Sequence, residues 1–473
     1  MSRRSKQGKE FVKKGVSFET LVPVIVVIIL IAAFAGRIGN FTKKHPLTFD
    51  EYVYSVMSTQ IDKGVYNTMG IYEDEVRKGK HLPAYFRKPI FKHPPVFSYL
   101  VSISCKLFGN TFVSAFKVSL FFGVLLILMA YLLSAMLFHD RIAALYAAFM
   151  MSIEPISWVS SQKVWMETTL AFFFVLSLFL FFYSTRRGNP YTMLASGFFA
   201  GCAALTKYPG ILAVAVILLY AASCDRKLFR QKSFIASLLL PFLMLIPWIV
   251  WNYRVYGPSL FAETYKAHRL DFVFERKPFQ EYLYLVIAVI FIFALLLALI
   301  KNRKARGALI VVSVAALCVI LRRHIFHSFD LFFVPKSGWE MGMFGKEPWY
   351  FYLGRLIELS PLYVVSLVGL VMIVLHHDRS REYIFLFMSV LIILAFYVWW
   401  RNYQSRYILA LITPLMVISS ATQVALFRMA SARTTGYMRI FTQSALALIA
   451  VFFLIKTFKI DMVLAVPNAV CYF

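Results

Sequence analysis

The stretch "PPVFSYLVSISCKLF", residues 94–108, decides how the chain is threaded. It is apolar, but only 15 residues long, and Ser98, Ser102 and Ser104 interrupt it. A bilayer-spanning helix needs about 20 apolar residues. The segment therefore reads as a helix lying in the membrane interface. Apolar runs of spanning length lie near 18–38, 112–138, 141–158, 166–184, 190–205, 208–223, 233–251, 282–300, 307–321, 355–375, 383–400, 404–427 and 440–457, which makes 13 spans. With 94–108 outside the membrane, the pieces 1–17, 139–141, 185–189, 224–232, 301–306, 376–382 and 428–439 share one side. They hold 22 Lys and Arg against five acids, Glu10, Asp140, Asp225, Asp378 and Glu382. Short basic loops mark a cytoplasmic face. Were 94–108 a span, every later loop would change sides and the pattern would break. The N-terminus is thus expected inside, the C-terminus outside, with an odd number of spans.

Composition agrees. Of 473 residues, 60% are apolar and 15% charged, and the mean hydropathy is +0.70. That is too little polar surface for a soluble protein of this size. The expected class is an all-α polytopic membrane protein, one integral domain over 1–473 with no separate soluble domain. The net charge is +27. No long basic stripe stands on a soluble domain, so nucleic acid is not the partner. Retention in the membrane and contact with anionic headgroups or phosphates account for the charge. The five cysteines, Cys105, Cys202, Cys224, Cys318 and Cys471, form no CxxC and suggest neither a metal cluster nor a disulfide framework. Residues 1–17 are basic and 18–38 apolar, with Ala33-Phe34-Ala35 near the end. A run of that length spans rather than merely targets, so an uncleaved first helix is expected over a cleaved signal.

The opposite face gathers the remaining polar material: long loops at 39–111, 252–281 and 322–354, and turns at 159–165, 206–208 and 401–406. In the first loop, "LTFDEYVYS", residues 47–55, sets Asp50 beside Glu51, flanked by Phe49, Tyr52 and Tyr54. The plain reading of such a pair is a solvated acidic turn. Further along, "FKHPPVFSYL", residues 91–100, uses two prolines to break the chain and start the interfacial helix. This holds Lys92 and His93 at headgroup depth. Glu167 in "SQKVWMETTLAFFF" starts a helix, where a carboxylate is favoured in any case. Lys207 in "AALTKYPGIL", Arg254 in "PWIVWNYRVYG", and Arg401 and Arg406-Tyr407 in "RNYQSRYILALITP" lie at outer helix ends. Each alone reads as an interfacial anchor. Together with the carboxylates at one depth, they mark a functional surface. "GKEPWYFYLGRLIELSPL", residues 345–362, adds Trp349, Tyr350 and Tyr352, either an aromatic belt or a wall for a lipid chain or sugar ring.

Acids and cations together at a membrane surface suit a lipid-linked phosphate ester. Cations stabilise the phosphate as a leaving group, and a carboxylate takes the proton of an acceptor hydroxyl. The alternative is a multi-span transporter or lipid flippase. That class usually shows two matching halves and charged, broken helices at mid-membrane. Here the charges cluster at one face, and Lys117 in "TFVSAFKVSL" is the deepest.

The chain resembles the C-type membrane glycosyltransferases that use polyprenyl-phosphate sugars, including the protein O-mannosyltransferases and lipid A aminoarabinose transferases. The resemblance is carried, in order, by "FDEYVYS", "KHPPVFSYL", "WMETTLAFF", "AALTKYPG", "PWIVWNYRVYG", "KPFQEYLY", "EPWYFYLGRLIELSPL" and "RYILALITP". It implies a helical membrane bundle with interfacial helices in the first extracytoplasmic loop. It implies inverting transfer of a sugar from a polyprenyl-phosphate donor to an acceptor hydroxyl or phosphate on a protein, lipid or polysaccharide, outside the cell membrane. By the same resemblance Asp50 is the catalytic base, Glu51 a helper that orients it or the acceptor, and Glu167 a second catalytic acid. Lys207 and Arg406, with Arg254, Lys92 and His93, would bind the donor phosphate. Tyr407, with Tyr350 and Trp349, would wall the acceptor or lipid. His268 in "KAHRLDF" falls where some relatives place a histidine near a metal. Two departures stand out. His93 replaces a lysine before the prolines, and Lys92 replaces an acid that would bind metal. Asp50, Glu51 and His268 remain as candidate ligands of a divalent ion.

Overall fold

The computed structural model describes residues 18–41, 49–61, 66–67, 79, 88–109, 111–260, 351–375, 381–399 and 404–464. Among these the chain is helical, and no strand is found. Helix α1 (Phe18–Phe41) precedes two helices of the first loop, α2 (Phe49–Gln60) and α3 (Val96–Phe108). Then follow α4 (Phe112–Phe138), α5 (Arg141–Ser152), α6 (Pro155–Ser161), α7 (Glu167–Arg187), α8 (Pro190–Thr206), α9 (Leu212–Cys224) and α10 (Lys232–Tyr256). After 261–350 come α11 (Phe351–Leu359), α12 (Leu362–Leu375), α13 (Arg381–Trp399), α14 (Leu409–Arg433) and α15 (Gly436–Leu464). Seven of the helical segments are long and apolar enough to cross a bilayer, or eight if the bent pair α5–α6 is one span. The expected spans 282–300 and 307–321 lie outside the described residues.

Short polar signals set the tight turns. His139 caps the end of α4, and the Asp140 carboxylate then accepts from the N–H groups of Ile142 and Ala143 at 3.0 and 3.2 Å to start α5. Gly188, at φ +66°, closes α7, and Asn189-Pro190 opens α8 immediately after it. α8 lies close against α10: a Cβ on Gly197 would stand 2.3 Å from the Ser237 carbonyl oxygen. The core is formed by α4, α5, α7, α8, α9, α13 and α14, around Leu126, Phe174, Phe181, Phe385, Leu411 and Met416.

The first loop confirms the reading of 94–108 as a short helix. At 13 residues α3 is about 20 Å long, well under the bilayer's hydrocarbon thickness. Its serines face inward. Ser98 meets the Tyr66 hydroxyl at 3.2 Å and Ser104 donates to the Ser114 carbonyl at 2.6 Å. Tyr99, Ile103, Leu107 and Phe108 form the exposed side. α2 seats Val53, Tyr54 and Met57 in the same small core as Phe97 and Val101 of α3.

The run 141–158, read from sequence as one helix, is instead two helices bent by 56°. Freed backbone groups in an apolar setting need partners. Glu154 supplies them by accepting from the N–H groups of Ile156 at 3.0 Å and Ser157 at 2.6 Å, and from the Tyr363 hydroxyl. Arg37, fully buried, donates to the Ser152 carbonyl at 3.0 Å and lies 4.7 Å over the Trp158 ring. The run 355–375 likewise breaks between α11 and α12, where Pro361 cannot donate a backbone bond and Ser360 Oγ accepts from Leu362 N at 3.2 Å.

Candidate active site

Four helix ends converge. Asp50 opens α2, Glu167 opens α7, and Lys207 ends α8 in an extended conformation. Arg406 lies on a single 3-10 turn, Ser405–Ile408, that enters α14. Glu167 is almost fully buried, and its Oε1 accepts from Lys207 Nζ at 2.9 Å and faces Arg406 Nε at 3.8 Å. Arg406 Nη2 pairs with Asp50 Oδ2, and its Nε donates to Gln404 Oε1 at 2.7 Å. Glu167 Oε2 is buried with no hydrogen-bond partner among the described residues.

Aromatic faces back the two cations. Tyr407 lies 3.8 Å from Lys207 Nζ and 5.4 Å from the Arg406 guanidinium, and Trp165 lies 4.2 Å from that guanidinium. Ser119 holds the Trp165 backbone from both sides, donating to its carbonyl at 3.0 Å and accepting from its N–H at 3.3 Å. Glu51 turns away from this cluster. It is fully buried, accepts from Val164 N at 3.1 Å and lies 3.9 Å from Lys163 Nζ. Glu51 thus ties α2 to the segment just before Glu167. Tyr54, one turn after Asp50, meets the His93 ring edge-on at 5.3 Å.

The charges interact strongly. Burial alone would raise the Asp50 carboxyl, but the Arg406 guanidinium beside it, with Lys207 and Lys92 further off, holds it below the ordinary value of 3.8. The surrounding protein lowers the Lys92 ammonium, Asp50 opposes that, and Lys207 and Arg406 add to it. Lys92 keeps an exposed side chain, and among the described residues no carboxylate lies within ion-pair distance of it. Burial, then the carboxylates of Asp50 and Glu167, drives the Tyr54 phenol well up. With two acids against three cations, the cluster keeps one positive charge.

The structure therefore brings together Asp50, Glu167, Lys207, Arg406 and Tyr407, with Lys92 and His93 at the rim. It leaves Arg254 on the exposed side of α10. His268, Trp349 and Tyr350 lie outside the described residues. The metal reading asks Asp50, Glu51 and His268 to meet. Glu51 faces Val164 instead, and among the described residues no group of three His, Cys, Asp or Glu is placed to hold an ion. Sequence reasoning named Tyr54 only as a ring flanking the acid pair and missed Trp165, Lys163 and Gln404, although Trp165 and Gln404 each stand two residues before a selected residue.

Residues 92–251 match the family model of the dolichyl-phosphate-mannose-protein mannosyltransferases. Superposed on the oligosaccharyltransferase AglB of Archaeoglobus fulgidus, solved with an inhibitory peptide and a dolichol-phosphate, the chain gives a TM-score of 0.57 at 15% identity, over 95% of its own length and 56% of that chain. ArnT of Cupriavidus metallidurans, solved with undecaprenyl phosphate, gives 0.56 at 14% identity, over 96% of this chain and 77% of that one. The chain shares its fold with these two proteins. An uncharacterized protein of Aquifex aeolicus strain VF5 is 24% identical over 240 residues, 48% of either chain. The match thus spans about half the length of that curated relative. The family-matched segment includes Lys92, Glu167 and Lys207.

Proposed function

We propose that the protein is an inverting glycosyltransferase that moves a sugar from a polyprenyl-phosphate donor to an acceptor hydroxyl, on the extracytoplasmic side of a cell membrane. One observation carries the reading: a carboxylate of lowered pKa, Asp50, pairs with the Arg406 guanidinium, which also faces Glu167, itself paired with Lys207. In this reading Lys207, Arg406 and Lys92 receive the donor phosphate, whose single negative charge matches the cluster's excess. The acceptor oxygen attacks the anomeric carbon, and a C–O bond forms there. The bond from that carbon to the phosphate oxygen breaks, and its electron pair leaves with the lipid phosphate. Asp50 takes the acceptor proton. As Asp50 becomes neutral, Arg406 loses one partner just as the leaving phosphate gains charge. In this reading the chain's own cations carry the electrostatic stabilisation.

The neighbouring structures with dolichol-phosphate and undecaprenyl phosphate support a lipid-phosphate donor. The test is to incubate the purified protein with a panel of polyprenyl-phosphate sugars and a serine peptide, lipid A and a glycolipid. Consumption of one donor that is lost in Asp50→Asn supports the reading. Turnover unchanged in that variant overturns the role of Asp50.

A further inference from the structure

Lys92 sits on a short loop, 88–93, without helix or sheet to fix it. Three phenols from three parts of the chain grip that loop at alternate carbonyls. Tyr256, at the end of α10, donates to the Pro89 oxygen. Tyr208, just after α8, donates to the Phe91 oxygen at 2.6 Å. Tyr66 donates to the His93 oxygen at 3.0 Å. Tyr208 is the hub, because its hydroxyl also accepts from Trp248 Nε1 at 2.9 Å and its ring lies 5.5 Å from that of Phe91. The Phe91 ring in turn stacks parallel to Trp248, at 6.4 Å. Tyr208 also follows Lys207 directly, so one hydroxyl links the backbone beside Lys92 to the residue beside Lys207.

We propose that Tyr208 is a positioning residue for the donor phosphate: its hydroxyl, oriented by Trp248, fixes the Phe91 carbonyl and so sets the distance between the ammonium groups of Lys92 and Lys207. The inference rests on the phosphate-binding reading given above. Lys207 and Arg406 already face carboxylates, whereas Lys92 faces none within ion-pair distance among the described residues. Lys92 thus supplies the excess charge, and its placement depends on a hydrogen bond rather than on a helix. An untethered lysine has many rotamers and must lose them on binding.

The test is binding of undecaprenyl phosphate to the purified full chain in detergent, with undecaprenol as the uncharged control, across wild type, Lys92→Ala, Tyr208→Phe, Trp248→Phe and the Lys92→Ala/Tyr208→Phe double variant. Tyr208→Phe keeps the ring and removes the hydroxyl, and thermal unfolding checks that the variant folds. The expected result is a Kd for the phosphate raised roughly 3- to 10-fold in Tyr208→Phe, with a smaller rise in Trp248→Phe. The double variant should bind no more weakly than Lys92→Ala, within about twofold, because the hydroxyl acts through that lysine. Undecaprenol binding should not change. A merely structural tyrosine would weaken both ligands and would add to Lys92→Ala. Wild-type affinity for the phosphate in Tyr208→Phe, or effects that multiply in the double variant, overturns the inference alone. If wild type binds the phosphate no better than the alcohol, the donor reading falls as well.

Discussion

Asp50 reconciles two demands on one side chain. On its proposed role as a base it must be ionised, and it sits in a partly buried site that disfavours ionisation. Arg406 supplies the difference. Because the folded pKa lies below the ordinary 3.8, the Asp50–Arg406 pair is present above that pH and is lost only as pH falls through the lower folded value. The acid limb of kcat/KM for the donor should therefore lie below pH 3.8. An acid inflection well above that value, absent in Asp50→Asn, refutes the assignment. Asp50→Asn itself should lower kcat by about 100- to 10,000-fold with the fold intact by thermal unfolding. Lys207→Ala should raise donor KM by an amount equal to roughly 1.5–3 kcal/mol of charged hydrogen bonding; an unchanged KM and kcat would remove Lys207 from the phosphate site. Glu51→Ala should act differently, through stability. It leaves Lys163 and the Val164 N–H without their buried carboxylate, which costs about 3–5 kcal/mol and shows as a lowered Tm. The converging residues Asp50, Glu167, Lys207 and Arg406 were legible because ionisable groups at the outer ends of apolar runs are rare and costly. Trp165 and Tyr208 were not, because in a chain with 17% aromatic residues one more ring carries no signal, and Tyr54 was noted only as a ring flanking the acid pair.

At the scale of elements, apolar runs located the helices but not their breaks. The sequence marks both breaks with a proline, Pro155 after Glu154 and Pro361 after Ser360. A hydropathy reading averages over such residues, and the polar partners that make a break tolerable, Arg37 and Tyr363 for Glu154, come from remote positions. The serines of α3 interrupt its apolar run, and in the fold they face the protein. The close approach of α8 and α10 is equally invisible in one dimension. It rests on Gly197, where an added Cβ would stand 2.7 Å from Ser237 Cα as well as 2.3 Å from its carbonyl oxygen. Backbone cannot rotate away as a side chain can. Gly197→Ala should therefore destabilise the protein by roughly 1–3 kcal/mol, measured as reduced thermal stability with the donor Kd unchanged in the folded fraction. A neutral effect would mean that the two helices slide apart easily.

For the whole molecule, fold class and face assignment came from composition and charge counting, with no need of side-chain detail. The described residues bear out the helical class, and ion pairs tie the basic loops together at one end. Arg141 meets Glu19 at 3.0 Å, Arg428 meets Asp140 at 2.6 Å, and Arg186 meets Glu382 at 2.5 Å. Sidedness is open to direct measurement. In a cysteine-free background, Tyr52→Cys should react with a membrane-impermeant thiol reagent on intact cells and Lys227→Cys should not; both side chains are exposed. Labelling of Lys227→Cys alone would reverse the topology, and labelling of both would overturn the expected threading. The bridge between Asp50 and Arg406 joins residues 356 positions apart. During synthesis the acid emerges into its compartment long before its counter-ion has been translated. On the proposed function, a half-made chain therefore holds an unmatched carboxylate and an incomplete phosphate site, and the growing protein is expected to stay chemically silent until Arg406 has been inserted.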